Sequence, residues 1–286
     1  MSDRLVSVII PSYNRAHILK KTIPSYFQKN VLEVIVINDA STDNTVQVLD
    51  ELKKEYDSLI IINNDKNIKQ TGSKNKGLDY SKGEYIFFGD DDSILFPNAI
   101  QHALDTIEKK KCDIVGCRVL YMNNNDSSPD ACIIRHNKNN FFKCDLDTLT
   151  FNLSADTEEA IECFYPQAIF LCNKNIIKSN KFDINYTGNA YREETDFLLS
   201  LYKNSFVAYF EPKSLIINLP PKLATGGARN KNKLLYHWQT ITNNWYFLKK
   251  NNKIINLLSG KNRGILFRQI YFILSRLKSF TEKFTK

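Results

Sequence analysis

Leu5-Val6-Ser7-Val8-Ile9-Ile10-Pro11-Ser12-Tyr13-Asn14-Arg15 decides how this chain folds. Residues 6–10 are a short apolar run rich in β-branched side chains. They read as a strand buried on both faces and stopped by Pro11. The polar residues after it read as a loop, and the alternation repeats downstream. Helical spacing over 17–28 places Ile18, Leu19, Ile23 and Phe27 on one face, with Pro24 as a weak point. A second apolar strand over 32–37 ends in a polar loop over 38–43. A helix over 45–56, a strand over 59–63, a helix over 72–81 and a strand over 85–88 follow. Strands alternating with helices make βαβ units and hence a mostly parallel α/β sheet flanked by helices. Such sheets bind ligands beyond the carboxyl ends of their strands, where these polar loops fall.

The pattern continues with a helix over 98–110 and a strand over 113–121. The Asn/Asp/Lys-rich stretch 123–144 is expected to be a mobile loop or insertion, and 146–219 mixes α and β. A basic, glycine-containing loop over 226–232 precedes helices over 234–250 and 264–283. With 286 residues, 43% hydrophobic and 24% charged, the chain suits a globular protein with a sizeable core. No run resembles a signal peptide or a membrane span, so a cytoplasmic location is expected. The six cysteines form no C-x-x-C pair and stand apart from the four histidines. They are expected to be reduced and mostly buried thiols, not zinc ligands. The net charge of +8 is uneven: residues 222–286 hold 14 lysines and arginines against one acid, Glu282, while the remainder holds 25 against 30. Such a basic tail suits an anionic lipid surface or a phosphorylated carrier. No recognised nucleic-acid-binding module accompanies it, so nucleic acid is not an expected partner.

Three loops carry candidate chemistry. Gly89-Asp90-Asp91-Asp92-Ser93 directly follows an apolar strand. Three adjacent carboxylates repel one another unless they are solvated in a surface turn or neutralised by a hard cation such as Mg²⁺ or Mn²⁺. In Asn38-Asp39-Ala40-Ser41-Thr42-Asp43-Asn44, Asp39 suits hydrogen bonds from a nucleotide, and Thr42 or Asp43 suits a helix cap. In Pro11-Ser12-Tyr13-Asn14, Tyr13 suits a base-flanking position or a solvated turn.

Taken together and in order, these stretches resemble the family 2 glycosyltransferases of the GT-A fold. The likeness continues through Gly72-Ser73-Lys74-Asn75-Lys76-Gly77-Leu78, and through Lys82-Gly83-Glu84-Tyr85-Ile86-Phe87-Phe88 into the acidic loop. It is clear over residues 5–105 and fainter to about 230. The resemblance implies a Rossmann-like GT-A catalytic domain over 1–225. Residues 1–110 would bind the nucleotide and 111–225 the acceptor, and 226–286 would be a basic helical extension. It further implies that Asp39 binds the nucleobase, with Pro11, Tyr13 and Asn14 beside it. Lys74, where the family usually has arginine, would pair with the donor diphosphate. Asp90-Asp91-Asp92 matches the D-x-D motif: Asp92 would hold Mn²⁺ or Mg²⁺, and Asp90 would reach the ribose or the metal's water shell. Ser93 replaces a residue that is often acidic in the family.

The family's acceptor-deprotonating carboxylate matches Arg192-Glu193-Glu194-Thr195-Asp196-Phe197, with Glu194 at the usual position and Glu193 as its alternative. Read without the resemblance, those acids simply open a helix. Asp196 is expected to cap or orient it. Relatives often carry a histidine after the base, but here Ile217-Asn218-Leu219-Pro220 stands in that neighbourhood, and His237 reads as structural. Gly226-Gly227-Ala228-Arg229 is either a donor-phosphate loop, with Arg229 as a contact, or a plain flexible loop. The expected activity is inverting transfer from a nucleoside-diphosphate sugar to a glycan or lipid-linked acceptor in bacterial surface polysaccharide synthesis. The helix over 264–283 would lie on an anionic membrane surface or dock on protein. Two other functions compete with this one. A nucleotidyltransferase should show a glycine-rich loop after its first strand, where Pro11-Ser12-Tyr13-Asn14 stands. A non-catalytic nucleotide-binding scaffold would not need Asp39, Asp90, Asp92 and Glu194 together.

Overall fold

A computed structural model describes residues 4–137, 141–166, 169–177, 179–202, 205–227 and 232–281, with side chains as far as 277. The first third alternates as its spacing predicts: β1 (Val6–Ser12), α1 (Ala16–Thr22), β2 (Val31–Asn38), α2 (Thr45–Glu55), β3 (Leu59–Asn63), α3 (Lys69–Tyr80) and β4 (Tyr85–Phe88). These four strands are mutually parallel, in the order β3-β2-β1-β4. Alternate residues face opposite cores. Ile9, Ile35 and Ile37 point into one buried cluster, and Val8, Ile10, Val34 and Val36 into the other. A strand covered on both faces must be apolar throughout, and these are. The helix expected over 17–28 is broken. It is α-helical only to Thr22 and then tightens into a 3₁₀ turn, Ile23–Tyr26, with Pro24 near its start. Proline removes a helical N–H and clashes with the preceding turn.

The second part comprises β5 (Ser93–Leu95), α4 (Ala99–Lys110), β6 (Ile114–Tyr121), α5 (Pro129–His136), β7 (Cys144–Asp145), β8 (Thr150–Phe151), β9 (Ile161–Cys163), β10 (Phe170–Asn173), α6 (Lys174–Ile177), α7 (Glu193–Leu201) and β11 (Ala208–Asn218). Strand β10 inserts antiparallel between β4 and β6, and β11 runs parallel beside β6. The sheet therefore continues β4-β10-β6-β11-β5, with β9 also on β11. The stretch 123–144, expected as a loop, carries α5. Ser128 accepts a hydrogen bond from the Ala131 N–H (3.2 Å), and Pro129 opens the helix. Ser-Pro-Asp at 128–130 is a helix-start signal that the surrounding polarity hides. All six cysteines are free thiols, and five of them are buried.

Two long helices close the chain, α8 (Lys233–Ser259) and α9 (Ile265–Thr281). The Asn232 side chain caps the first by accepting from the Leu234 and Leu235 N–H groups. Phe247, Leu248 and Ile255 of α8 join the same buried cluster as Phe88 and Phe197. Arg268 on α9 donates to the Asp147 carboxylate (2.6 Å), and Gln269 accepts from Asn244 (2.7 Å). One face of α9 is thus docked on protein. Leu266, Ile270, Leu274 and Leu277 remain exposed on it. Among the described residues, no helix is long and apolar enough to cross a membrane.

Candidate active site

The ends of β1, β2, β4 and β11 meet at a cleft of about 690 Å³, lined among others by Pro11, Tyr13, Asp39, Asp90, Asp91 and Asp92. Asp39 leaves the end of β2 with its backbone N–H on the Ser12 carbonyl (2.8 Å). Its carboxylate accepts from the Asn64 amide (2.9 Å), the Ile68 N–H (2.8 Å) and the Lys69 N–H (2.9 Å). It thereby fixes the start of α3. A carboxylate offers about four acceptor positions, so one, on Oδ2, is left for a ligand. Asn14 does not line the cleft. Its side chain accepts from the Thr42 N–H (2.7 Å), and its own N–H donates to Ser41 (2.9 Å), clasping the loop after β2. Asn44, not Thr42 or Asp43, holds the N-cap position of α2 and makes no side-chain cap bond, while Asp43 accepts from the N–H groups of Thr45 on α2 and Ala16 on α1 (both 3.1 Å).

The acidic loop is anchored through its backbone. The Tyr26 hydroxyl donates to the Asp90 carbonyl (2.8 Å) and accepts from the Asp90 N–H (3.2 Å). Thr22 donates to the Asp91 carbonyl (2.9 Å), and the Leu219 N–H to that of Asp92 (2.8 Å). Gly89 is required at the turn, because a Cβ there would come within 2.7 Å of the Tyr26 ring. Burial, then the charge of Asp92, pushes Asp90 up to about 7 despite Lys74. Burial likewise pushes Asp91 up to about 6, although Arg15 opposes it. Arg15 is a residue the sequence reading passed over. Its Nη2 donates to Asp92 (3.2 Å), and its Nε lies 3.5 Å from Asp91.

A second acidic cluster opens α7. Glu193 is fully buried, whereas the Glu194 side chain is 22% exposed. Lys74 on α3 sits between them, its Nζ 3.0 Å from Glu193 and 2.9 Å from Glu194. Lys74 was expected at the diphosphate, but it is buried, does not line the cleft and is engaged by these two acids. Burial alone would lower its pKa, but the two carboxylates outweigh burial and raise it. Burial raises Glu193 well above the usual carboxylate range, against the pull of Lys74. The two clusters are neighbours: Gln70, which lines the cleft, donates to Glu194 (3.4 Å). Asp196 accepts from Lys250 (2.7 Å) and Asn251 (2.6 Å), tying α7 to α8. His237 contacts Arg276 on α9 (3.2 Å) and lies away from the cleft lining. Arg229 falls outside the described residues.

The oxygen chemistry of the cleft fits a hard divalent cation. Among the described residues no three His, Cys, Asp or Glu side chains form a complete metal cluster. Asn218, at the end of β11, adds a buried Oδ1 with no hydrogen-bond partner and lines the same cleft. Asp92, Asp90 and Asn218 would hold the ion, with ligand oxygens completing its shell.

Residues 7–162, more than half the chain, match the family described as Glycosyl transferase family 2. The chain belongs to that family. It is 36% identical over 115 residues to the GalNAc(5)-diNAcBac-PP-undecaprenol beta-1,3-glucosyltransferase of Campylobacter jejuni, covering 39% of this chain and 37% of that protein. It is 29% identical over 121 residues to glycosyltransferase GlyG of Streptococcus pneumoniae, covering 40% and 38%. The matches thus span under two fifths of each relative. Residues 1–349 of Staphylococcus aureus TarS, solved in complex with UDP, superpose with a TM-score of 0.59 at 15% identity, over 92% of this chain and 68% of that one. The fold is that of the GT-A glycosyltransferases.

Proposed function

We propose that the protein is an inverting glycosyltransferase. It moves a sugar from a nucleoside-diphosphate sugar to a hydroxyl of a glycan or lipid-linked acceptor, in the synthesis of a bacterial surface polysaccharide. The observation that carries this reading is the adjacency of two unlike acidic sites: a carboxylate loop in the cleft, and a partly exposed Glu194 that accepts from Gln70 of the cleft lining (3.4 Å). The family relationship supports glycosyl transfer, and the name of the Campylobacter jejuni relative supports a lipid-linked acceptor.

In this mechanism Asp39 accepts a hydrogen bond from the nucleobase through its remaining Oδ2 position, with Pro11 and Tyr13 alongside. Asp92, Asp90 and Asn218 would hold a divalent ion, which would supply charge neutralisation for the diphosphate leaving group. Glu194 removes the proton of the acceptor hydroxyl as that oxygen bonds to the anomeric carbon. The bond to the diphosphate oxygen breaks on the opposite face, its electron pair leaves with the diphosphate, and the configuration inverts. Lys74 holds Glu194 in place (2.9 Å). The exposed apolar face of α9 suits a membrane surface, where a lipid-linked acceptor would reside.

The test is calorimetry with UDP, GDP, dTDP and CMP, each with and without Mn²⁺, on the wild type and Asp92→Ala. One diphosphate should bind, tighter with metal by about tenfold or more, and Asp92→Ala should lose that gain. Binding of no nucleotide in either condition would sink the donor-site assignment. For the membrane, co-sedimentation with vesicles containing anionic phospholipid should fall in Ile270→Glu/Leu274→Glu while the melting temperature holds. Equal vesicle binding by both proteins would refute that surface.

A further inference from the structure

Arg15 has no part in the mechanism just described, yet it lines the cleft at 4% exposure. A guanidinium carries five N–H donors in a rigid planar fork that matches phosphate oxygens. Here only the bond from Nη2 to Asp92 is formed (3.2 Å). Nε makes an ion-pair contact with Asp91 at 3.5 Å, and neither Nε nor Nη1 has a hydrogen-bond partner among the described residues. Buried donors without acceptors are costly, so a ligand that supplies acceptors gains what the free protein forgoes.

The surroundings hold the group in place. Gly227 (φ +60°) donates its N–H to the Tyr13 carbonyl (2.9 Å), and a Cβ on it would meet Nη2 at 2.7 Å and Nε at 2.9 Å. Only glycine lets this turn close on the guanidinium. The other nearby cations are poorly suited to the task. Lys74 is engaged by Glu193 and Glu194, and Lys69, which lines the cleft, is an exposed side chain. A diphosphate entering a cleft with three carboxylates needs a positive partner, and among the described residues Arg15 is a buried one already in place.

We propose that Arg15 is the resident cation of the donor site. Its unpaired N–H groups take oxygens of the donor diphosphate, and its charge offsets Asp91 and Asp92, so that a nucleoside diphosphate binds measurably without a divalent metal. The proposal rests on the donor-site reading above and deepens it.

The experiment is calorimetry in EDTA and in Mn²⁺, with the selected nucleoside diphosphate, its parent nucleoside and inorganic pyrophosphate, on the wild type, Arg15→Gln and Arg15→Lys. Wild-type diphosphate binding should remain measurable in EDTA, about tenfold to a hundredfold weaker than in Mn²⁺, and pyrophosphate should bind in EDTA. Arg15→Gln should lose about tenfold or more for the diphosphate in EDTA and under about twofold for the nucleoside, with Arg15→Lys between. The proposal is overturned if wild type binds the diphosphate in Mn²⁺ but neither it nor pyrophosphate in EDTA, or if Arg15→Gln weakens nucleoside and diphosphate alike. The wild-type arm decides the matter even where Arg15→Gln does not fold. A wild type that binds nothing in Mn²⁺ either would instead overturn the donor-site reading.

Discussion

The acidic loop after β4 and the acid pair at the start of α7 lie side by side, and each contains a buried cation. They are balanced differently. Glu193 and Glu194 share Lys74 at 3.0 and 2.9 Å, so two carboxylates meet a fully engaged ammonium. In the acidic loop Arg15 reaches Asp91 and Asp92 at 3.5 and 3.2 Å, and burial pushes Asp90 and Asp91 up to about 7 and about 6 despite Lys74 and Arg15. In the first cluster one ammonium touches both acids, whereas in the second burial outweighs the cations and leaves Asp90 and Asp91 with a deficit of compensating charge. A shared ammonium suits a base that must stay fixed. A deficit suits a site that waits for a cation and a ligand.

Removing the ammonium is the strongest way to break this contrast. Lys74→Met should cost about 3–5 kcal/mol of stability, because it strands a buried carboxylate. Glu193 already titrates above its unfolded value, so the folded protein binds more protons than the unfolded one across that window. Losing Lys74 raises that folded pKa further. The loss should therefore be greater at pH 8 than at pH 5, as read by urea denaturation at the two pH values. A loss independent of pH would mean that Lys74 packs rather than pairs.

The opposite sign is expected in the loop. Asp90→Asn removes a carboxylate whose ionisation the fold opposes, so in EDTA at pH 8 it should gain roughly 1–2 kcal/mol of stability. Wild-type Asp90 takes up a proton as pH falls through about 7, so that gain should shrink by pH 5. Thermal melting at both pH values checks it, and destabilisation at pH 8 would contradict the deficit. The smallest effect sharpens the division within the acid pair. Glu193→Gln keeps the shape of a buried group, and transfer should fall by less than about tenfold, an order below the loss expected for a general base. Initial-rate measurements decide this, and a loss of about a thousandfold would move the base to Glu193.

How much of this was legible depends on how local its cause is. The parallel strands could be read because each is a continuous apolar run, and the acidic loop because three carboxylates after Phe88 stand out in any reading. The break at Pro24 and the helix at 129–136 follow from local rules that neighbouring residues obscure. The partners of Lys74 and Arg15 could not be read. Lys74 meets acids 119 and 120 residues away, and Arg15 meets one 77 away, through strand crossovers that no local pattern encodes. Asn14 and Asp39 carry a similar lesson. A polar residue at a strand end also serves the backbone around it, and only the packed loop shows how much of its hydrogen-bonding capacity remains.

The measurement that reaches the central claim most directly compares Glu194→Gln with Asp92→Ala in two assays, calorimetric binding of the selected nucleoside diphosphate with Mn²⁺ and initial-rate sugar transfer. The account predicts that Glu194→Gln binds within about twofold of wild type and loses transfer by about 10²–10⁴-fold. Asp92→Ala should lose the metal-enhanced binding itself. If both variants lose binding equally, or if Glu194→Gln still transfers at the wild-type rate, the two clusters do not divide the work in this way.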